Sequence, residues 1–335
     1  MSAAPLALTM GEPAGIGGEI ALAAWSRLRV SGPGFVAIDD PDRLAALARH
    51  LGRDVPVRAV GSLAEGAASF PRALPVLPEP LAAPVEPGRP DPAHGPAIIR
   101  SVERAVALAR AGEAGGVVTN PLAKTTLLAG GIGHAGHTTW LAELAGGGVP
   151  VMMLASPLLK VVPVTVHIPL AEVPAALTTA RIVATARIVA AALRADFGIA
   201  RPRLAVTGLN PHAGEEGTIG REEIATIRPA IEILRGEGLA VSGPHPADSL
   251  FHERARAGYD AALCMYHDQA LIPIKTLDFA GGVNVTLGLP IVRTSPDHGT
   301  ACDIAGQGIA DPSSLIAAIE LAAAMAARRE RARAA

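Results

Sequence analysis

Short apolar runs alternate with longer segments of helical periodicity along most of the chain. The apolar runs occupy residues 6–10, 35–38, 116–119, 151–155, 160–166, 203–207 and 261–265. Apolar positions recur at helical spacing in residues 19–28, 97–111, 137–144, 179–196, 221–235 and 312–335. Parallel strands need long crossover connections, and a helix usually supplies them. The alternation therefore predicts a layered α/β fold with a largely parallel sheet.

The length of 335 residues permits one large domain or two interleaved ones. We expect two interleaved α/β subdomains, residues 1–130 with 300–335, and residues 131–299. Nine prolines fall between Pro71 and Pro96, where no periodicity is visible. Because proline lacks an N–H and interrupts regular elements, residues 62–96 are predicted to form a surface excursion or crossover.

Composition limits the possible partners and compartments. Hydrophobic residues make up 50% of the chain and aromatic residues 3%, so the core must be built from Ala, Leu, Val and Ile. A formal charge of -2 provides no general attraction to nucleic acid or anionic membranes. Cys264 and Cys302 form no C-x-x-C pair, which suits a reducing compartment. With no basic leader and no apolar run of ~20 residues, we expect a cytoplasmic protein without a membrane or nucleic-acid partner.

A glycine-rich turn at residues 11–18 lies between the first strand and the first helix. Strand, glycine loop and helix suggest a Rossmann fingerprint, but Gly15, Gly17 and Ile20 do not satisfy its spacing and Pro13 interrupts the loop. The turn is either a tight strand-to-helix connection or a loop whose backbone amides line a cleft.

Three histidines share one setting, shortly after the carboxyl end of an apolar strand. His167 follows the run at 160–166, His212 the run at 203–207, and His267 the run at 261–265. If these strands are parallel and share one sheet, the three imidazoles emerge at the same edge. Three imidazoles with an open position form a typical catalytic site for a divalent metal. The alternative is three unrelated histidines, each with its own hydrogen bonds.

Such a metal would acidify a bound hydroxyl, as it lowers the pKa of water from 15.7 to about 7. Asp248 and Asp268 are candidate proton-transfer groups, although each also suits a turn or helix cap. Lys275 and Arg293 are cations suited to a phosphate or carboxylate, and Arg293 lies in a strand-like run where a half-buried guanidinium favours an anion. Lys275 is alternatively a surface lysine.

His137 and Thr138 open a predicted helix, whose free N–H groups and dipole favour an anion. Ordinary capping by Thr138 is the alternative interpretation.

Seven segments together resemble the 4-hydroxythreonine-4-phosphate dehydrogenase family of vitamin B6 biosynthesis. They are TMGEPAGIG, VTNPLAK, GHT, VTVHIPL, LNPHAGEEGTIGREE, YHDQALIPIK and NVTLGLPIVRTSPDHGTA. The resemblance runs nearly end to end, apart from the proline-rich stretch.

The resemblance implies an isocitrate/isopropylmalate dehydrogenase-like fold and a homodimer with active sites at the subunit interface. It implies that His167, His212 and His267 hold one divalent metal (Zn, Mg or Co), with ligands contributed across the dimer. Its implied substrate contacts are His137, Thr138, Lys275, Asn284 and Arg293. The sequence does not separate Lys275, Asp248 and Asp268 as the proton-transfer group.

The family's reaction oxidises the 3-hydroxyl of 4-phosphooxy-L-threonine with NAD or NADP. The resulting 2-amino-3-oxo acid then loses carbon dioxide to give 3-amino-2-oxopropyl phosphate. The residues that bind the nicotinamide cofactor are not indicated by the motifs.

Two departures from the family pattern bear on the substrate. Thr139 stands where the family has glutamate, and Gly18 stands where it has proline. Losing a carboxylate near the substrate leaves open a sister dehydrogenase for a four-carbon acid-sugar phosphate or a cis-dihydrodiol acid. A metal-dependent phosphate-ester hydrolase and a non-catalytic phosphometabolite-binding protein are further alternatives on the residues alone.

Overall fold

The structure is a computed structural model that describes residues 4–123, 126, 128 and 137–334, with the backbone alone at 137 and 138. The chain divides into two compact units. Unit 1 comprises Met1–Pro150 with Leu289–Ala335, and unit 2 comprises Val151–Gly288.

Strands and helices alternate along most of the chain, as the apolar periodicity predicts. The strands are β1 (Leu6–Thr9), β2 (Phe35–Asp39), β3 (Val57–Ala59), β4 (Leu74–Pro78), β5 (Val117–Val118), β6 (Val151–Ala155), β7 (Lys160–Pro163), β8 (Arg203–Thr207), β9 (Ala240–His245), β10 (Ala261–Cys264), β11 (Val283–Leu287) and β12 (Arg293–Pro296). The α-helices are α1 (Gly17–Leu28), α2 (Pro41–His50), α3 (Leu63–Ser69), α4 (Gly95–Arg110), α5 (His137–Leu144), α6 (Val173–Ala176), α7 (Thr179–Ala195), α8 (Arg228–Gly236), α9 (Glu253–Arg256), α10 (His267–Leu277) and α11 (Ser313–Ala334). Short 3-10 turns occupy Pro92–His94, Leu170–Glu172, Pro211–Gly217 and Ala247–Ser249, and a π-helical turn occupies Glu223–Ile227.

Unit 1 contains strands in the order β3-β4-β2-β1-β5-β12, and each neighbouring pair is parallel. All four residues of β1 are buried, as expected when both faces of a parallel sheet are covered. The apolar face of α4 contributes Ile98, Val102 and Val106 to the core. Asp40 caps α2 by accepting hydrogen bonds from the N–H groups of Asp42 and Arg43.

Unit 2 contains strands in the order β11-β6-β7-β10-β8-β9. Strand β6 is antiparallel to both β11 and β7, and the other neighbouring pairs are parallel. Its core includes Leu154, Val161, Ala262 and Ile274. The predicted α/β class with a largely parallel sheet is thus confirmed, with β6 as the departure.

The unit boundaries differ from those expected from the sequence. Helix α5 joins unit 1 because Trp140 and Leu141 pack into the cluster that holds Ile98. Strand β12 joins unit 1 because it pairs with β5, Arg293 opposite Val117. Residues 137–150 and 289–299 therefore belong with the first unit.

The proline-rich range 62–96 contains more regular structure than a surface excursion. It includes α3 and also β4, which lies between β2 and β3 in the sheet. Leu74, Val76 and Leu77 are buried there. Because of the frequent prolines, the short apolar strand β4 was not predicted from the sequence. The long irregular segment of this range follows β4.

Among the described residues, no single helix has the length and apolar character to cross a membrane, whereas the pair Leu170–Ala176 and Thr179–Ala195, bent by 91°, meets those criteria of length and composition together.

Candidate active site

Strands β7, β10 and β8 are adjacent and parallel in unit 2. Ala262 of β10 lies opposite Val161 of β7 on one side and Ala205 of β8 on the other. The three predicted histidine-bearing strands thus share one sheet and one direction, which confirms the premise of the sequence argument. Their carboxyl ends meet at one edge, where open α/β sheets bind ligands.

His167 and His267 come together beyond the ends of β7 and β10. Their ring centroids are 5.6 Å apart, and the rings are inclined by 45°. Both line a cavity of about 260 Å3 together with Thr165, Tyr266 and Asp268. Two imidazoles at this separation, both at an accessible cavity, are arranged to share a small ligand.

Asp268 orients the ring of His267. The Nδ1 atom of His267 lies 2.7 Å from Oδ1 of Asp268. When Nδ1 carries the proton and donates a hydrogen bond to this carboxylate, the lone pair of Nε2 is available to bind a metal. A carboxylate on the opposite ring nitrogen is the usual outer partner of a metal-binding histidine.

His212 lies on the loop after β8, in an unusual backbone conformation. The φ angles of His212 to Glu216 are all positive, at 52°, 53°, 78°, 42° and 55°. His167 also has a positive φ, of 43°. Each non-glycine residue in this region costs about 1–2 kcal/mol, so neighbouring contacts must hold the conformation. Such strain is concentrated at functional sites, which makes both histidine positions candidates for function.

A buried carboxylate supports the His212 loop. Oε1 of Glu223 accepts hydrogen bonds from the N–H groups of Leu209 at 2.8 Å and Asn210 at 2.7 Å. Oε2 accepts one from Nδ2 of Asn210 at 3.0 Å. Glu223 itself is buried in the π-helical turn, so these bonds are well shielded from water.

The remaining candidates of unit 2 occupy separate positions. His212, Asp248 and Lys275 are not among the described residues that line the cavity. Asp248 is exposed in the turn Ala247–Ser249, and the ammonium of Lys275 lies 5.6 Å from the ring centroid of Phe279. Asn284 is half-buried on β11, opposite Leu154 of β6.

Arg293 is a buried cation of unit 1. Its Nη2 donates to Oγ1 of Thr119 at 2.7 Å. Burial lowers the pKa of Arg293 to about 10, so the guanidinium stays protonated at neutral pH. Only 5% of Arg293 is exposed, which makes a neighbouring anion favourable. Of the other predicted contacts in unit 1, His137 begins α5, and the side chains of His137 and Thr138 lie outside the described residues.

Imidazole nitrogens favour divalent ions of intermediate softness, so histidine side chains at this cavity suit such an ion. Within one chain, His167 and His267 offer two such donors at the cavity. In the part of the chain that the structure describes, no group of three His, Cys, Asp or Glu side chains is placed to hold a metal. The pair therefore fits a metal site that takes a further ligand from elsewhere.

Sequence reasoning missed two polar residues beside these histidines. Oγ1 of Thr165 donates to the carbonyl of Met265 at 2.7 Å, and Oε1 of Gln269 accepts from the N–H of Met265 at 2.7 Å. Each lies two positions from a histidine, Thr165 before His167 and Gln269 after His267. Their closeness in sequence to His167 and His267 was the signal from which these two residues could have been predicted.

Parallel strands with histidines at their carboxyl ends define an α/β protein with a candidate metal-dependent active site. Residues 33–322 match the family model of the pyridoxal phosphate biosynthetic protein PdxA. The chain belongs to this family.

Known proteins are similar over nearly the whole chain. A 4-hydroxythreonine-4-phosphate dehydrogenase from Caulobacter vibrioides is 57% identical over 335 residues, covering 98% of this chain and 99% of that protein. The crystal structure of the Klebsiella pneumoniae enzyme of the same name has a TM-score of 0.88 at 39% identity, covering 97% and 98% of the two chains. A terephthalate 1,2-cis-dihydrodiol dehydrogenase from Burkholderia xenovorans has a TM-score of 0.65 at 30% identity, covering 96% and 98%.

Proposed function

We propose that the chain is a 4-hydroxythreonine-4-phosphate dehydrogenase that acts in pyridoxal 5'-phosphate biosynthesis with a nicotinamide cofactor, NAD or NADP. The observation that carries the proposal is 57% identity to a curated relative of that name over nearly the full length of both proteins. The proposed reaction oxidises the 3-hydroxyl of 4-phosphooxy-L-threonine and releases carbon dioxide, leaving 3-amino-2-oxopropyl phosphate. The two free cysteines suit the proposed cytoplasmic location.

The proposed metal ligands are His167, His212 and His267. The pairing of His167 with His267 and the strained backbone at His167 and His212 support this assignment. When bound, the divalent ion would acidify the 3-hydroxyl and the nicotinamide would accept a hydride. Zn, Mg and Co are the candidate ions, and imidazole donors favour Zn or Co over Mg.

The chain's own residues are proposed to bind the substrate and move its proton. Arg293, Lys275 and Asn284 would bind phosphate and carboxylate oxygens, with His137 and Thr138 as further contacts. Arg293 is suited to this because a buried guanidinium forms short, charge-assisted hydrogen bonds to an anion.

Asp268 is the proton acceptor that the geometry favours, since it lines the cavity and contacts His267. Asp248 and Lys275 remain the alternative proton-transfer groups, because each reaches solvent where a proton can be exchanged.

We further propose a homodimer in which each site takes histidines from both subunits. Among the described residues of one chain, two imidazoles line the cavity, whereas catalytic metal sites commonly use three protein ligands. In the proposed dimer, the partner subunit supplies the further ligand.

The test is a steady-state assay of the purified chain with 4-phosphooxy-L-threonine and either NAD or NADP. We expect reduced nicotinamide and carbon dioxide in equal amounts, with loss of both after chelator treatment. Phosphate release without added nicotinamide would favour the phosphate-ester hydrolase instead. Tight substrate binding without turnover or metal dependence would indicate a phosphometabolite-binding protein.

A sister dehydrogenase is the second candidate. The likeness to the dihydrodiol dehydrogenase and Thr139 at a position where the family has glutamate both favour testing it. Oxidation of a cis-dihydrodiol acid or a four-carbon acid-sugar phosphate with higher kcat/KM than 4-phosphooxy-L-threonine would support this function.

A further inference from the structure

The main chain of Met265 connects the ends of β7 and β10 through its carbonyl and its N–H. Its carbonyl accepts from Oγ1 of Thr165 at 2.7 Å and from the N–H of Thr165 at 3.3 Å. Its own N–H donates to Oε1 of Gln269 at 2.7 Å. Thr165 precedes His167 by two residues, and Met265 precedes His267 by two. The main chain of one residue thus fixes the segment that leads to His167 against the segment that leads to His267.

The side chain of Gln269 extends this connection to β8. Its Oε1 also accepts from Oγ1 of Thr207 at 2.7 Å, and its Nε2 donates to the carbonyl of Gly208 at 2.8 Å. Thr207 is the last residue of β8, and the His212 loop begins at Gly208. The carboxamide therefore uses donor and acceptor together to bridge the ends of β10 and β8.

We propose that Gln269 is a positioning residue, which fixes the start of the His212 loop relative to His267. The inference rests on the proposed function, because it assigns Gln269 to the geometry of the proposed metal ligands. Three hydrogen bonds to the ends of two strands leave the carboxamide one orientation. A glutamate retains the acceptor contacts with Met265 and Thr207 but cannot donate to Gly208. A leucine of similar size removes all three bonds.

The first experiment measures cobalt(II) affinity of the metal-free protein by competition with a chelator. Replacing an outer partner of a metal ligand typically weakens affinity 10- to 100-fold. We expect Gln269→Leu to weaken cobalt(II) binding by about tenfold or more, and Gln269→Glu by less. In turnover, kcat should fall more than KM changes, because the substrate contacts are elsewhere.

The second experiment follows amide hydrogen exchange of residues 208–217 in the metal-free protein. We expect faster exchange throughout this loop in Gln269→Leu, because the Gly208 carbonyl loses its partner. This readout does not depend on metal. If wild-type protein binds no cobalt(II), the proposed metal site fails. If exchange and affinity are both unchanged in Gln269→Leu, the positioning role fails.

Tyr259→Phe is the matched control. Tyr259 is buried in the core of unit 2 and donates one hydrogen bond, to the carbonyl of Leu250 at 3.1 Å. The control should lower Tm while leaving cobalt(II) affinity and exchange at 208–217 unchanged. Equal effects of the control and Gln269→Leu on metal affinity would overturn the proposal.

Thr207→Val covers the case in which Gln269→Leu does not fold. Valine matches threonine in shape and removes the bond to Oε1 of Gln269. We expect a loss of cobalt(II) affinity intermediate between wild type and Gln269→Leu. Wild-type affinity in both Thr207→Val and Gln269→Glu would refute the inference.

Discussion

The left-handed turn at His212 predicts that Gly214→Ala is strongly destabilising. Gly214 is buried with a φ of 78°, a region that costs an L-residue about 1–2 kcal/mol. A Cβ atom there would lie 2.5 Å from Oε2 and 3.0 Å from Cδ of Glu223. The methyl group and the carboxylate cannot occupy these positions together, so one of them must move.

Moving Glu223 disturbs its bonds to the N–H groups of Leu209 and Asn210. A hydrogen bond to a charged group contributes about 1.5–3 kcal/mol. Loss of one such bond together with the backbone penalty gives about 2.5–5 kcal/mol for Gly214→Ala. The change should also weaken metal binding, because it displaces the loop that carries His212.

Gly238→Ala separates the two contributions. Gly238 lies in the same unit with a φ of 82°, and a Cβ there would meet no atom within 4 Å. At Gly238 the substitution adds only the backbone penalty, so we expect about 1–2 kcal/mol of destabilisation and unchanged metal affinity. Urea unfolding followed by circular dichroism measures both variants. A difference below about 0.5 kcal/mol between the two variants would refute the packing argument, since the predicted difference is the charged hydrogen bond, about 1.5–3 kcal/mol.

Three further predictions concern the metal, the substrate and pH. His212→Ala and His267→Ala subunits should each be inactive alone but regain activity when coexpressed as a mixed dimer. If each site takes His212 from one subunit and His267 from the other, one of the two sites in the mixed dimer keeps all its histidines. An inactive mixed dimer would argue against shared sites. Arg293→Ala should raise KM for the phosphorylated substrate by about tenfold or more, given 1.5–3 kcal/mol for a charged hydrogen bond, and an unchanged KM would place the anion elsewhere. Burial acts to raise the pKa of Asp260, but hydrogen bonds from Arg203 outweigh burial and hold this pKa below its ordinary value. The ionised carboxylate therefore stabilises the folded protein above the unfolded-state pKa of about 3.9, and this stabilisation is lost as the pH falls through the folded-state pKa. Asp260→Asn should therefore lower Tm at pH 7, and its effect on Tm should shrink as the pH falls below about 3.9, whereas an effect independent of pH would contradict the linkage.

The class of fold and the positions of the strand ends could be predicted because both depend on local pattern. Apolar runs such as 203–207 correspond to a strand with the same bounds, Arg203–Thr207. The helix expected at 221–235 begins instead with the π-helical turn Glu223–Ile227 and continues as α8 from Arg228. There Glu223 is directed to the His212 loop, a partner that helical periodicity does not reveal.

Sequence by itself determined the alternation of strands and helices, and the placing of His167, His212 and His267 just beyond three of those strands. These properties follow from hydrophobic periodicity and chain order. Tertiary structure alone decided that β7, β10 and β8 are neighbours, that β6 is antiparallel, and that Gln269 bridges two strand ends. It also decided the left-handed turn at His212, because a strained backbone persists only where packing around Glu223 and Gly214 supports it. Contacts between residues far apart in the chain, such as Gln269 with Thr207, leave no periodic signal in the sequence.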